Sequence, residues 1–171
     1  MKRIYTRSGD CGMTRIRGGV VLPKDDIVIE TNGTLDELNA VIGLVRSFLP
    51  EEHGWQSLLN DIQEELLIVM SHIATPEGKV NPKELHVVEL TGRFEEVIDG
   101  VIMSVGAPKG FIVPAGRQAV AYLHLARTVA RRAERRLCTL SRQKSLKGDI
   151  ASFINRMSDL FFAMACDREA I

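Results

Sequence analysis

Three stretches carry side chains that could hold and align a charged molecule. The first is "LHLARTVARRAERR" (residues 123–136), with five arginines and one glutamate. Placed at 100° per residue on a helix, Ala119, Leu123, Ala126, Ala130, Ala133 and Leu137 form an apolar stripe. His124, Arg127, Arg131, Glu134 and Cys138 form a second stripe roughly 80° away, at the border of the core face, while Arg132 and Arg136 lie far round the helix. A border arginine is partly covered by a neighbouring helix or subunit, and a covered guanidinium requires an acid or an anion beside it. The pattern leaves two readings open: a structural ion-pair network, or an anion site.

The second stretch is "INRMSDLFF" (154–162). Phe153, Met157, Leu160, Phe161 and Met164 make a core stripe, and Ser152, Asn155, Asp159, Phe162 and Cys166 make another about 150° round, either a solvated face or one turned to a ligand. The third is "YTRSGDCGMT" (5–14). Thr6, Ser8 and Thr14 bring hydroxyls, Gly9 and Gly12 let backbone N–H groups converge, and Arg7 and Lys24 supply cations. The stretch lacks the Gly-x-x-x-x-Gly-Lys-Ser/Thr pattern and strand-to-helix setting of a P-loop, so alone it reads as a polar turn. His53, His72, His86 and His124 are scattered without metal-ligand spacing.

At 171 residues the chain is expected to form one domain, 1–171, with a loop region over 1–33 and a bundle over 34–171. Lys plus Arg number 22 and Asp plus Glu number 22, so no global charge draws it to nucleic acid or an anionic membrane. Cys11, Cys138 and Cys166 are odd in number and outside any CxxC pattern, which argues against a disulfide framework or a zinc site. The start lacks an apolar signal core and no run of about 18 apolar residues occurs, so a soluble, cytoplasmic protein is expected.

Residues 1–33, rich in glycine, predict an ordered loop or short strands. Thr34 with Glu37 reads as a capping box opening a helix to about Leu49, ahead of Pro50. A second apolar period runs from Trp55 and ends near Thr75-Pro76. Asn81 as cap and Pro82 at the first position predict a third helix to Val105. Residues 106–116 form a Gly/Pro connector with a short apolar, β-like centre. Helices follow from about Arg117 to Ser141 and from about Asp149 to Asp167. The expected fold is all-α: an up-and-down five-helix bundle with an irregular N-terminal loop.

Taken in order, "YTRSGDCGMT", "PKDD" (23–26), "GTLDELNAVIGL" (33–44), Ala74-Thr75-Pro76, "FIVPAG" (111–116), "LHLARTVARRAERR" and "INRMSDLFF" make this chain resemble the PduO-type ATP:cob(I)alamin adenosyltransferases. The resemblance covers nearly the whole chain. It implies a homotrimer with active sites between subunits, and transfer of the 5′-deoxyadenosyl group of ATP to cob(I)alamin with release of triphosphate. By resemblance, Thr6, Arg7, Ser8, Gly9, Thr14, Arg15 and Lys24 hold the polyphosphate, joined by Arg131, Arg132, Glu134, Arg135 and Asn155. Magnesium accompanies ATP, shared between phosphate oxygens and Glu134. Arg127 pairs with Asp36 of a neighbouring subunit. Phe111 presses on the lower face of the corrin, and Asp159 and Phe162 lie on the corrin side. A reductase and a cobalamin-dependent mutase are the implied partners. Cys11 and Met13 depart from the Lys and Thr or Ser often found in the loop, and "PAGRQ" from a more usual Gly-Gly-Ser-like segment. An alternative is an escort that binds cobalamin and delivers it to a mutase with little turnover.

Overall fold

The computed structural model describes Tyr5 and residues 7–167. Five helices carry the fold: α1 (Ile27–Ser47), α2 (Gln56–Ile73), α3 (Val87–Val105), α4 (Gln118–Leu140) and α5 (Ile150–Cys166). Ahead of them, β1 (Met13–Arg15) and β2 (Val21–Pro23) pair antiparallel, with Thr14 opposite Leu22. The N-terminal region thus combines turn residues with a small hairpin, in line with the expected ordered loop or short strands. A 3-10 turn over Arg17–Gly19 joins its strands, with Gly18 and Gly19 at φ 77° and 84°, a left-handed pair that glycine adopts at no steric cost.

Side-chain pairs set the directions. Gln63 donates to the Asn39 carbonyl and Asn32 to the Met70 carbonyl, so α1 and α2 run antiparallel. Glu30 and Glu37 of α1 meet Arg136 and Arg132 of α4, again antiparallel. Arg93 meets Asp61 and the His86 N–H meets Glu65 across α2 and α3, while Phe94 stacks on Phe153 with α3 and α5 side by side and parallel. The chain thus reverses at every connection, an up-and-down bundle. One end gathers the hairpin, the start of α1 and the ends of α2 and α4. The other end gathers the connector 106–117, where Phe48 of α1 stacks on Tyr122 of α4.

The apolar stripes form the core as expected. Ala119, Leu123, Ala126, Ala130, Ala133 and Leu137 are all buried, and so are Phe153, Met157, Leu160, Phe161 and Met164. Each large aliphatic or aromatic side chain so buried contributes about 1.5–3 kcal/mol of transfer free energy. The four alanines on the α4 stripe keep α1 and α5 close, since interaxial distance follows side-chain size at the contact.

Two helix starts and the connector differ from the sequence expectation. α1 begins at Ile27, not Thr34: Asp26 caps it, its Oδ1 accepting from the Val28 N–H at 2.8 Å, and Gly33 lies inside the helix. Thr34 lies inside it too, its hydroxyl donating to the Glu30 carbonyl at 2.8 Å. Replacing Asp26 by alanine is expected to cost about 1 kcal/mol, read as a lower midpoint in denaturant with unchanged slope. α3 begins at Val87, not after Asn81: the Asn81 amide donates to Ser71 and Thr75, and its Oδ1 accepts from the Lys83 N–H in a turn that does not continue into the helix. Just ahead of it, the His86 N–H donates to Glu65 of α2 at 2.9 Å. The connector forms no strand, since every neighbouring element there is a helix and none offers an edge to pair with. Among the described residues, no helix is long and apolar enough to cross a membrane.

Candidate functional site

The α4 arginines divide into two sets. Arg132 pairs with Glu37, and Arg136 with Glu30 at 3.2 Å, so the two arginines far round the helix tie α4 to α1. These exposed pairs contribute at most about 1 kcal/mol each. On the border stripe, Arg131 is exposed and has no ion-pair partner among the described residues; its carbonyl accepts from Arg135 Nη1 at 3.0 Å. Arg127 is half-buried, and its Nε is buried with no hydrogen-bond partner among the described residues. Such a group is rare in a finished structure and marks a place where something else belongs. Asp36 is exposed on α1 and is not paired with Arg127 within the chain. The ion-pair reading therefore applies to Arg132 and Arg136, and it does not account for Arg127 or Arg131 among the described residues.

Two predicted residues from separate helices do meet. Asn155 Nδ2 donates to Glu134 Oε1 at 2.6 Å, which leaves the second carboxylate oxygen of Glu134 for another ligand. One turn further along α5, Asp159 accepts from Arg156 Nη1 at 3.0 Å, and Arg156 Nε donates to Glu95 of α3 at 3.1 Å. Phe162, on the same α5 stripe, is half-buried.

At the hairpin, the loop brings Gly9 and Lys24 together. A Cβ on Gly9 would stand 3.3 Å from both Cε and Nζ of Lys24, so glycine lets the ammonium lie against the backbone. The Lys24 N–H donates to the Gly12 carbonyl at 2.9 Å and locks that approach. Arg7 has φ 61°, and its guanidinium stands 5.6 Å from the Tyr5 ring centre, a cation–π distance. Arg15 turns back on the hairpin, its Nη1 donating to the Gly19 carbonyl at 2.9 Å. Ser8 is exposed and Thr14 half-buried. Thr6 lies outside the described residues. Phe111, in the connector at the opposite end of the bundle, is fully exposed, and Val113 beside it is 81% exposed.

The sequence pattern of the family described as Cobalamin adenosyltransferase fits residues 4–167. The chain belongs to that family. The corrinoid adenosyltransferase of Citrobacter freundii is 36% identical to this chain over 166 residues, 96% of this chain and 94% of that one. The corrinoid adenosyltransferase PduO of Salmonella typhimurium is 36% identical over 163 residues, which span 95% of this chain but only 48% of that protein. Among solved structures, a Phe-to-His variant of the PduO-type ATP:corrinoid adenosyltransferase from Lactobacillus reuteri, complexed with cobalamin and ATP, superposes with a TM-score of 0.91. It is 36% identical, and the match covers 98% of this chain and 92% of that one. An Arg-to-Lys variant of the same enzyme, complexed with ATP, gives a TM-score of 0.88.

Several members of the site region escaped the sequence reading. Glu30 and Glu37 stand two turns apart on one face of α1 and reach Arg136 and Arg132, one turn apart on α4, but starting the helix at Thr34 hid Glu30. Arg156 and Glu95 carried no signal, because their partnership depends on how α3 and α5 pack.

Proposed function

We propose that this cobalamin adenosyltransferase works between copies of the chain, with the hairpin loop of one copy facing the α4–α5 border of the next. The enzyme transfers the 5′-deoxyadenosyl group of ATP to cob(I)alamin, forming adenosylcobalamin and triphosphate. Reduced cobalt attacks C5′ with its own electron pair; the carbon–oxygen bond to the triphosphate breaks, and that pair leaves on the oxygen. No proton moves, so no general base is needed, in keeping with a site built from cations, hydroxyls and amides. What the chain supplies is alignment of carbon with cobalt and stabilisation of charge on the leaving triphosphate.

In this reading Thr6, Arg7, Ser8, Gly9, Thr14, Arg15 and Lys24 cradle the polyphosphate from one side. Arg131, Arg135, Glu134 and Asn155 close on it from the other, and Arg132 supports them by holding α4 to α1. The observation that carries the assignment is the sorting of the arginines: Arg132 and Arg136 are neutralised by α1, whereas Arg127 and Arg131 find no acid among the described residues. Asp36 of a neighbouring copy answers Arg127, and the expected assembly is a trimer. Magnesium fits as an ion shared with the triphosphate. Among the described residues no cluster of three or more ligating side chains could cage it, and Glu134 keeps one carboxylate oxygen for it. Phe111 covers the lower face of the corrin, and Asp159 and Phe162 face its side. We place the enzyme in the cytoplasm, where its three cysteines, none of them in a disulfide, stay reduced, with a reductase supplying the reduced corrinoid and a mutase using the product.

An anaerobic assay with ATP, magnesium and chemically reduced cobalamin tests the reaction through the visible spectrum and triphosphate release. Adenosylcobalamin is expected. Its absence at saturating substrate overturns the reading, and tight cobalamin binding without turnover would instead support an escort. The relatives are named for transfer rather than carriage, which favours the enzyme. For the assembly, Asp36→Arg is expected to lower the mass in solution below that of the trimer, and adding Arg127→Asp to restore it. A mass unmoved by Asp36→Arg removes that pair from the interface.

A further inference from the structure

The hydrogen bonds within the hairpin fix its shape: Ile16 N–H to the Val20 carbonyl at 2.9 Å, Lys24 N–H to the Gly12 carbonyl at 2.9 Å, and Arg15 to Gly19. Its place on the bundle is set elsewhere. Arg17, in the 3-10 turn, donates from Nη1 to Ser71 Oγ in the last turn of α2 at 3.0 Å. Gly18 beside it lies against the Pro76 ring, where an added Cβ would stand 3.4 Å from Cγ. Ser71 Oγ also accepts from Asn81 Nδ2 at 2.9 Å, and that amide donates to Thr75 Oγ1 at 3.1 Å. Asn81 Oδ1 accepts from the Lys83 N–H at 3.0 Å, and the Thr75 hydroxyl donates to the Ser71 carbonyl at 2.8 Å. Asn81 and Thr75 are each only 6% exposed. From the far side Lys144 Nζ donates to the Ile73 and Thr75 carbonyls at 2.7 and 2.5 Å. Burial holds its ammonium below the usual lysine range, with the Glu77 carboxylate opposing that shift.

We propose that Arg17, Ser71 and Asn81 form a positioning clamp that sets where the nucleotide loop stands over the bundle, and hence how ATP meets the facing α4–α5 border. The proposal rests on the reading of residues 7–24 as the ATP loop. None of the three touches substrate; each acts through the hairpin. A buried amide with its donors and acceptor used rotates little, so the Ser71 hydroxyl is presented at one angle, and Arg17 can seat the turn at one height. Displacing reacting groups by about 1 Å is enough to cost on the order of a hundredfold in rate.

Steady-state rates with ATP and reduced cobalamin test the clamp. Arg17→Met is expected to raise KM for ATP about tenfold, with KM for cobalamin and the melting temperature unchanged, because Arg17 is exposed and contributes nothing to the core. Ser71→Ala should move KM for ATP the same way, and Ser71→Thr, which keeps the hydroxyl, should not. Amide exchange at Ile16, Gly19 and Val20 should quicken in Arg17→Met. An ATP KM within twofold of the parent in Arg17→Met, or a rise in both KM values together, overturns the clamp. Lys24→Ala run in parallel separates the two ideas. ATP binding lost there but intact in Arg17→Met rejects the clamp alone, and ATP binding unmoved by Lys24→Ala rejects the loop reading and the clamp with it.

Discussion

Arg131→Ala is expected to slow adenosyl transfer about a thousandfold while leaving the mass of the assembly unchanged. Removing one preorganised donor from a developing negative charge costs roughly a hundred- to thousandfold, and an arginine aimed at a phosphate can be worth more. Arg131 is placed for that role because it stands on the border of the core face and no acid among the described residues neutralises it. Its exposure within the chain means that folding does not depend on it. Arg131→Lys should fall between parent and alanine variant, since lysine keeps the charge and loses the two-pronged geometry. Arg132→Ala is the control. It breaks an exposed pair with Glu37, and the expected effect on rate is far smaller. A near-normal rate in Arg131→Ala would show that the charge on the leaving triphosphate is met elsewhere.

Phe111→Ala should keep ATP binding yet use cob(II)alamin much more slowly than the parent under reducing conditions. Fully exposed in the chain, Phe111 gives nothing to the core, so truncation leaves the fold intact. A large ring so exposed is unusual, and covering one face of the corrin would bury it. With that face covered, no axial ligand reaches the metal and its reduction becomes easier. The variant supplied with preformed cob(I)alamin should therefore lose less rate than the variant supplied with cob(II)alamin. Equal losses from the two cobalt states contradict the role.

The five helices, their order and the core stripes were legible in the sequence because apolar spacing reports directly on burial: every residue of the α4 stripe is buried. Boundaries were less legible, because short polar residues serve as caps, helix residues or tertiary donors depending on their neighbours. Thr34 and Asn81 both match a cap by type and spacing, yet one back-bonds inside a helix and the other ties its loop to the last turn of α2. Asp26, the residue that does cap, is hidden because it lies in the glycine-rich stretch ahead of Thr34, which reads as loop or short strands. At the site, the helical projection separated Arg131 from Arg132 correctly, since angle round a helix follows from numbering alone. It could not show which arginine meets an acid, because Glu37 comes from another helix. The meeting of Asn155 with Glu134 was hidden for the same reason.

The placing of the hairpin and Phe111 at opposite ends of the bundle has a consequence for mixtures. α4, with 23 residues, spans about 35 Å between those ends. A pocket that needs both the phosphate loop and Phe111 is most readily assembled with the loop drawn from one molecule and the ring from its neighbour. Two preparations, one disabled at Lys24 and the other at Phe111, should then recover turnover once their subunits exchange, since one kind of mixed boundary carries both intact halves. Neither preparation alone, at any concentration, should do so.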